Sequence, residues 1–333
     1  NIVSNGYWVQ TGGTFTNTVA SGSQQVGGRM EMRGGRYYQG GHRLLVGGAL
    51  AGQLAPLLIT NDAEVRIVTD STNDAGRTYL GIGGLGGGGN FIGEVVVAGG
   101  YLVLTNNLGT RPGGAGVART NNGDIVLGIN NNNRATLRVE GGRVHAHQLW
   151  MGGFNFSAVS GGSSAFEAPT GITSFFHMVS GEFYTTRGIS NWNGSGSASN
   201  LLLSGGTIGA LGPWSTSLNL TLTNSPGPGV TRFDPNGYLM TLAGALVGPG
   251  GLSMDGAGVL AIANNNNALG GVNYSSNGVL RIVNTVGLAL GTNLLRVSGG
   301  RAGCGTGYVR ELWVGNGGSM SAGECTNVGT LTA

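Results

Sequence analysis

The chain has 333 residues, of which 69 are glycine and only 9% are charged, and its 17 basic residues, all arginine, face 14 acidic ones for a net charge of +3. So small a net charge over 333 residues predicts no nucleic-acid binding, and the lack of a long unbroken apolar run predicts no membrane span. Glycine in irregular pairs excludes collagen, and this much Gly and Asn excludes a helical protein.

A short unit recurs along the chain. It reads MEMRGGRYYQGGHRLLVGG at 30–48, LRVEGGRVHAHQLWMGG at 137–153 and LRVSGGRAGCGTGYVRELWVGNGG at 295–318. Weaker copies without the arginine lie at 95–104, 177–186 and 200–211. Each copy is a short strand, a Gly-Gly corner, a stretch of variable length and a second strand.

The strands alternate apolar and polar residues, which indicates one buried face. Leu137 and Val139 are expected to point inward, and Arg138 and Glu140 outward. Strand and corner repeating without crossover helices predict an all-β protein, a right-handed parallel β-helix (β-solenoid). A β-sandwich would show hairpin turns between strands of similar length. A propeller would repeat with a stricter period than this chain does.

We expect residues 1–333 to form a single continuous solenoid with irregular loops; a subdivision near 225–250, where Pro and Gly concentrate, is the alternative. The asparagine runs at 130–133 and 264–267 are interpreted as polar loops that tolerate left-handed φ. A stacked amide ladder is the other interpretation of these runs.

Residues 252–282, LSMDGAGVLAIANNNNALGGVNYSSNGVLRI, carry a more specific pattern. They resemble the passenger-associated repeat of bacterial autotransporter proteins. The matching positions are Leu252, Gly256, Gly258, Leu260, Ile262, Asn266, Gly270, Gly271, Gly278 and Leu280. The chain has Met254 where family members often carry Lys, and its Gly-Gly to Gly-Leu spacing is one residue longer.

The resemblance implies a right-handed β-helix on the cell exterior, in a family whose passengers include adhesins, structural rods and some enzymes. The family's outer-membrane barrel would be a C-terminal series of alternating strands, and the chain ends instead at GECTNVGTLTA. No leader pattern follows Asn1. We therefore expect either a passenger segment, mature or truncated, or a protein that is built from the same kind of rung without that membrane anchor.

No catalytic residue, metal site or cofactor is predicted. The acidic residues are scattered, and a glycosidase would need a carboxylate pair at one bond. Glu64 and Arg66, two apart on one strand, are expected to form a surface ion pair. His145 and His147 lack a third metal ligand, and a nucleotide-binding P-loop would need lysine.

The two cysteines, Cys304 and Cys325, lie in similar glycine-rich contexts. They are either two buried thiols or a disulfide, and we favour the disulfide, which would fit an oxidising, extracellular compartment.

Two features lead to a functional hypothesis. The low charge means that neighbouring copies repel each other little, and each end of a solenoid has a strand edge that can pair with another copy. We expect an extracellular or cell-surface structural protein, not an enzyme, that forms a layer, sheath or filament by binding further copies of itself. The alternative is an adhesin that contacts glycans or a cell surface, with Trp192, in the loop SNWNGSGS, as the glycan-contact candidate. A polysaccharide-active enzyme is the third hypothesis, weakened by the missing carboxylate pair.

Overall fold

The computed structural model describes residues 6–18, 24–40, 43–48, 50–69, 79–83, 90–106, 123–129, 131–152, 170–191, 197–223, 230–284, 289–292, 294–303, 309, 311–315 and 317–321. The described residues contain strands, turns and bends but no helix. The strands stack in long parallel ladders, so the prediction of an all-β, parallel β-solenoid is confirmed.

Two compact units make up the chain. Unit 1 comprises residues 1–177 and 189–200, and unit 2 comprises residues 178–188 and 201–333. The expected single continuous solenoid over residues 1–333, and its alternative boundary near 225–250, stay predictions.

Unit 1 is built from rungs of three strands in chain order. The first strands of successive rungs are β1 (Tyr7–Gln10), β4 (Arg29–Met32), β7 (Leu54–Thr60), β10 (Ile92–Ala98) and β13 (Arg134–Ala146). The second strands are β2 (Thr14–Asn17), β5 (Arg36–Gly40), β8 (Glu64–Thr69) and β11 (Tyr101–Asn106). The third strands are β3 (Gln24–Val26), β6 (Leu44–Val46), β9 (Tyr79–Ile82), β12 (Asp124–Leu127), β14 (Leu149–Met151) and β16 (Ile189–Asn191).

Parallel register places equivalent side chains above one another in unit 1. Leu57 aligns with Met30 on one side and with Val95 on the other, and Val95 aligns with Leu137. All four are buried, as is Val139. Because side chains alternate across a strand, Arg138 and Glu140 face outward, where their side chains form an ion pair at 2.6 Å. The predicted inward and outward assignment of this strand is confirmed.

Unit 2 repeats the three-strand order. Two strands, β15 (Thr173–Thr185) and β17 (Ala198–Leu203), run across the boundary between the units. The other strands are β18 (Thr207–Ala210), β19 (Trp214–Thr216), β20 (Leu220–Leu222), β21 (Thr231–Asp234), β22 (Leu239–Leu242), β23 (Leu246–Gly248), β24 (Leu252–Met254), β25 (Val259–Ile262), β26 (Ala268–Leu269), β27 (Asn273–Ser275), β28 (Val279–Ile282), β29 (Ala289–Thr292), β30 (Leu294–Ser298), β31 (Arg301–Gly303), β32 (Glu311–Gly315) and β33 (Ser319–Ser321).

The autotransporter-like segment lies wholly in unit 2. Its apolar positions face the core: Leu260 aligns with Leu280 across β25 and β28, and both are fully buried. Leu252 and Ile262 are buried as well. The segment thus forms regular rungs, while membership of that family stays a prediction.

Paired glycines make some of the corners but not all. Gly35 and Gly299 have φ of +76°, a backbone conformation that glycine adopts without a Cβ clash. Gly141 and Gly142 lie inside the continuous strand β13, between its residues that pair with β10 and those that pair with β11, which is the same place in the rung as the first Gly-Gly. The third copy differs, since its Gly-Gly lies before β31, a strand of another sheet than β30. The repeated unit therefore does not occupy one fixed place in the rung.

Asparagines tie neighbouring rungs together by bonding to backbone. Asn133, which is buried, accepts a hydrogen bond from the backbone N of Phe91 at 2.9 Å, and Asn267 accepts one from Leu246 at 2.8 Å. Asn132 has φ of +57°, as the loop interpretation predicted. These side-chain bonds satisfy backbone groups that a sharp corner leaves without a ladder partner.

Candidate functional site

The first rung of unit 1 (rung 1: β1, β2 and β3) has strand partners on one side. β1 pairs with β4, β2 with β5 and β3 with β6, and no described strand pairs with the other edge of any of the three. An unpaired strand edge presents backbone N–H and C=O groups that can add a further strand. Rung 1 is therefore a candidate site of association.

Three rings form an aromatic cluster at this edge: Trp8, Phe15 and Tyr37. Phe15 stacks on Tyr37, with ring centroids 5.5 Å apart and planes 11° from parallel. Trp8 meets both rings edge-on, at 6.0 and 6.2 Å. Such offset and edge-to-face contacts add to the energy of burial. The cluster joins rung 1 to the rung that holds Tyr37.

Phe15 occupies a core position that nothing described covers. Register continues from Phe15 to Tyr37 and then to Val65, and Val65 is fully buried. Phe15 itself is 48% exposed. A buried phenylalanine removes about 150–250 Å² of surface from water, so covering the exposed half would stabilise a contact by about 2–3 kcal/mol.

Polar side chains beside the cluster are partly satisfied. The Gln39 side-chain oxygen accepts hydrogen bonds from the Asn17 amide at 2.9 Å and from the Tyr37 hydroxyl at 3.1 Å. Burial raises the pKa of Tyr37, which keeps this hydroxyl protonated as a donor. The Gln39 Nε2 and Gln10 Oε1 atoms are buried and have no hydrogen-bond partner among the described residues.

The last described rung of unit 2 also exposes core positions. On β32, Leu312 aligns with Leu295 and Val314 with Val297, and both partners on β30 are fully buried. Val314 itself is 41% exposed. The neighbouring Trp313 is exposed too, with the Arg296 guanidinium 5.9 Å from its ring centre.

A groove with two arginines lies on the outer side of unit 1 (the arginine groove). Its volume is about 580 Å³, and its lining includes Tyr7, Arg29, Glu31, Arg33 and Leu54. Arg29 Nε donates to one Glu31 carboxylate oxygen at 2.5 Å, and Arg33 Nε donates to the other at 2.8 Å. The Glu31 carboxylate, which is buried, thus holds two half-exposed guanidinium groups.

The ionisation of Glu31 follows from its contacts. Burial opposes the charged form, but the hydrogen bonds from Arg33 and Arg29 outweigh burial and hold the pKa of Glu31 below its ordinary value of 4.5. The unfolded chain then binds more protons in acid than the folded chain does. The contribution of Glu31 to stability is present above pH 4.5 and is lost as the pH falls through the folded pKa.

We therefore predict that Glu31→Gln lowers the urea midpoint of unfolding at about pH 7, and that the difference from the wild type narrows at about pH 3. The comparison between the two proteins isolates Glu31 from the other titrating carboxylates. Equilibrium unfolding at the two pH values measures it. A difference that is the same at both would contradict this account of the ion group.

A buried carboxylate forms the second polar centre of unit 1. Asp124 is fully buried; its Oδ1 lies 2.8 Å from Nδ1 of His147, and its Oδ2 accepts a hydrogen bond from the Trp150 indole at 2.9 Å. The Trp150 ring packs against a small apolar cluster that includes Leu45 and Val126. Such a carboxylate orients an imidazole and an indole, and the contacts indicate a structural role.

The predicted candidates have different outcomes. The ion pair of Glu64 with Arg66 is confirmed, with Nε donating at 2.7 Å. His145 and His147 do not share a strand, because β13 ends at Ala146, and the His147 ring contacts Asp124. Trp192, Cys304 and Cys325 lie outside the described residues, so the glycan contact and the disulfide stay predictions.

Sequence reasoning missed Asp124 and Glu31. The available signals were a lone carboxylate opening the apolar run at 124–127 and the alternation Arg-Met-Glu-Met-Arg at 29–33.

Over the described part of the chain, no group of three or more His, Cys, Asp or Glu side chains could hold a metal ion. Those same residues include no helix of the length and apolarity needed to cross a membrane. Comparison of the chain with protein-family models, curated proteins and solved structures finds no match.

Proposed function

We propose that the chain is a non-enzymatic structural β-solenoid of the cell exterior that builds a layer, sheath or filament by binding further copies of itself. The observation that carries the proposal is rung 1, where β1 and β2 each pair with a described strand on one side only and the core residue Phe15 is exposed. A second copy that adds a rung there would satisfy backbone groups and cover the aromatic cluster.

The last described rung of unit 2 is the complementary surface in this proposal. Its exposed core residue Val314 would meet the aromatic cluster of the next copy. Two different surfaces meeting in this way form a heterologous contact, which continues into a filament unless it closes into a ring. The net charge of +3 over 333 residues opposes such stacking only weakly.

The aromatic cluster provides the test. We predict that Phe15→Glu weakens self-association about 30-fold or more, because it removes about 2–3 kcal/mol of apolar burial and places a charge in the contact. Tyr101→Glu is the matched control, since Tyr101 is an exposed aromatic on β11, a strand that is paired on both sides. Light scattering over a concentration series, with negative-stain electron microscopy, measures the effect.

Two outcomes would overturn the proposal. One is a wild-type chain that stays a dispersed monomer at high protein concentration in both low and high salt. The other is a Tyr101→Glu variant that loses assembly as completely as Phe15→Glu, because the loss would then follow charge alone.

A further inference from the structure

The arginine groove borders rung 1 through Tyr7 on β1, but the association proposed for rung 1 uses other groups. The other groove residues come from β4, the residue after it and the start of β7, and their side chains face outward, whereas association uses the strand edge and the core positions. Two arginines and one glutamate line it, so the groove carries a net charge of about +1 when all three are ionised. Its exposed charge is therefore cationic.

The guanidinium donors of the groove are only half used. In both arginines the Nε and Nη2 atoms face Glu31, and Arg33 Nη2 also lies 3.4 Å from the Tyr7 hydroxyl. The Nη1 atoms of Arg29 and Arg33 donate to no described residue, and both side chains are more than half exposed. A guanidinium group held along one edge keeps its far edge for a second planar anion.

An apolar platform lies next to these donors. The Tyr7 side chain is 58% exposed, and the Arg29 guanidinium lies 5.9 Å from its ring centre. Leu54, also exposed, lines the groove with Tyr7. A few fixed polar groups beside an exposed aromatic ring are the usual features of a site for an amphipathic small ligand.

We propose that the arginine groove binds an acidic sugar unit of a polysaccharide, with the sugar's carboxylate held by Arg29 and Arg33 and its ring laid on Tyr7. A neutral sugar would leave the two cationic donors unused. An acidic peptide has no ring face to place on Tyr7. A pyranose with a carboxylate combines both features, and an open groove admits a unit within a chain.

The carboxylate of Glu31 sets the geometry of this site. It fixes the two guanidinium groups before the ligand arrives, so little side-chain entropy is lost on binding. It also reduces the positive charge, which favours a singly charged carboxylate over a more highly charged anion.

The experiment measures binding of an oligogalacturonate by calorimetry at a protein concentration below the onset of assembly. Its carboxyl-reduced, neutral counterpart and a polyglutamate peptide of similar length serve as the comparison ligands. We expect saturable binding of the oligogalacturonate at least about tenfold tighter than binding of either comparison ligand. Tyr7→Ala and Arg33→Gln should each weaken it about tenfold or more.

Arg66→Gln is the matched control, because Arg66 is also a half-exposed arginine paired with a glutamate, on β8 and outside the groove. It should change the affinity less than about twofold. Four results would overturn the proposal: no saturable binding, equal binding of the neutral oligomer or the peptide, an unchanged affinity in Tyr7→Ala, or an equal loss in Arg66→Gln.

Tyr7→Ala removes an exposed side chain, so it keeps the test valid if Arg33→Gln fails to fold. Because assembly is measured separately through Phe15, failure of sugar binding leaves the proposed function standing, and failure of assembly leaves the sugar site standing.

Discussion

Asp124→Ala is expected to lower the free energy of unfolding by about 2–4 kcal/mol, because it leaves two partly buried donors without this acceptor. The Trp150 indole N–H loses its 2.9 Å hydrogen bond, and the ring of His147 loses its 2.8 Å contact. His147 is partly exposed and can bond to water, so most of the cost arises at Trp150. Urea unfolding followed by tryptophan fluorescence measures the effect.

Two control variants sharpen this test. Asp62→Ala removes a carboxylate from an exposed turn of the same unit, and we expect a change within about 0.5 kcal/mol. Asp124→Asn keeps one acceptor oxygen and should fall between Asp124→Ala and the wild type. If Asp124→Ala unfolds at the wild-type urea concentration, Asp124 does not hold this part of unit 1 together.

Gly258→Ala is expected to lower the free energy of unfolding by about 2–5 kcal/mol. Its φ of +100° is costly for any residue with a Cβ. An added Cβ would also lie 2.5 Å from the carbonyl oxygen and 2.8 Å from the backbone N of Tyr238, in the preceding rung. The backbone there cannot move away easily, since the Tyr238 carbonyl accepts a 2.8 Å hydrogen bond from Val259.

Gly237→Ala separates the two causes. Gly237 lies in the turn next to Tyr238 with φ of +85°, and an added Cβ would meet nothing within 4 Å. This variant should therefore cost only the conformational penalty, about 1–2 kcal/mol. Chemical denaturation of both variants gives the comparison. Equal losses would mean that close approach of neighbouring rungs adds nothing at Gly258.

Local pattern was sufficient to predict the strands and their two faces. The inward Leu137 and the outward Arg138 follow from a period of two, which depends only on neighbours along the chain. The positive φ of Gly299 follows in the same way from the need for a corner. The Gly-Gly at 141–142 likewise lies between the part of β13 that pairs with β10 and the part that pairs with β11, but the pattern does not tell that the strand continues through it.

Contacts between rungs were beyond prediction. Phe15 meets Tyr37, and Asp124 meets Trp150, across one full turn of chain, 22 and 26 residues away. The connections between strands differ in length from rung to rung, so no fixed period assigns these partners. The two arginines that share Glu31 were visible as residues, but not their common carboxylate or the groove that they line.

The amino-acid sequence alone determined that this chain is an all-β protein of short strands, with apolar side chains on one face and glycine where the backbone bends. Steric limits and burial act on a few consecutive residues, so such features can be deduced locally. Only the tertiary structure decided which side chains stack, where Asp124 is buried and where Phe15 is left exposed, because parallel register joins residues that are distant in sequence.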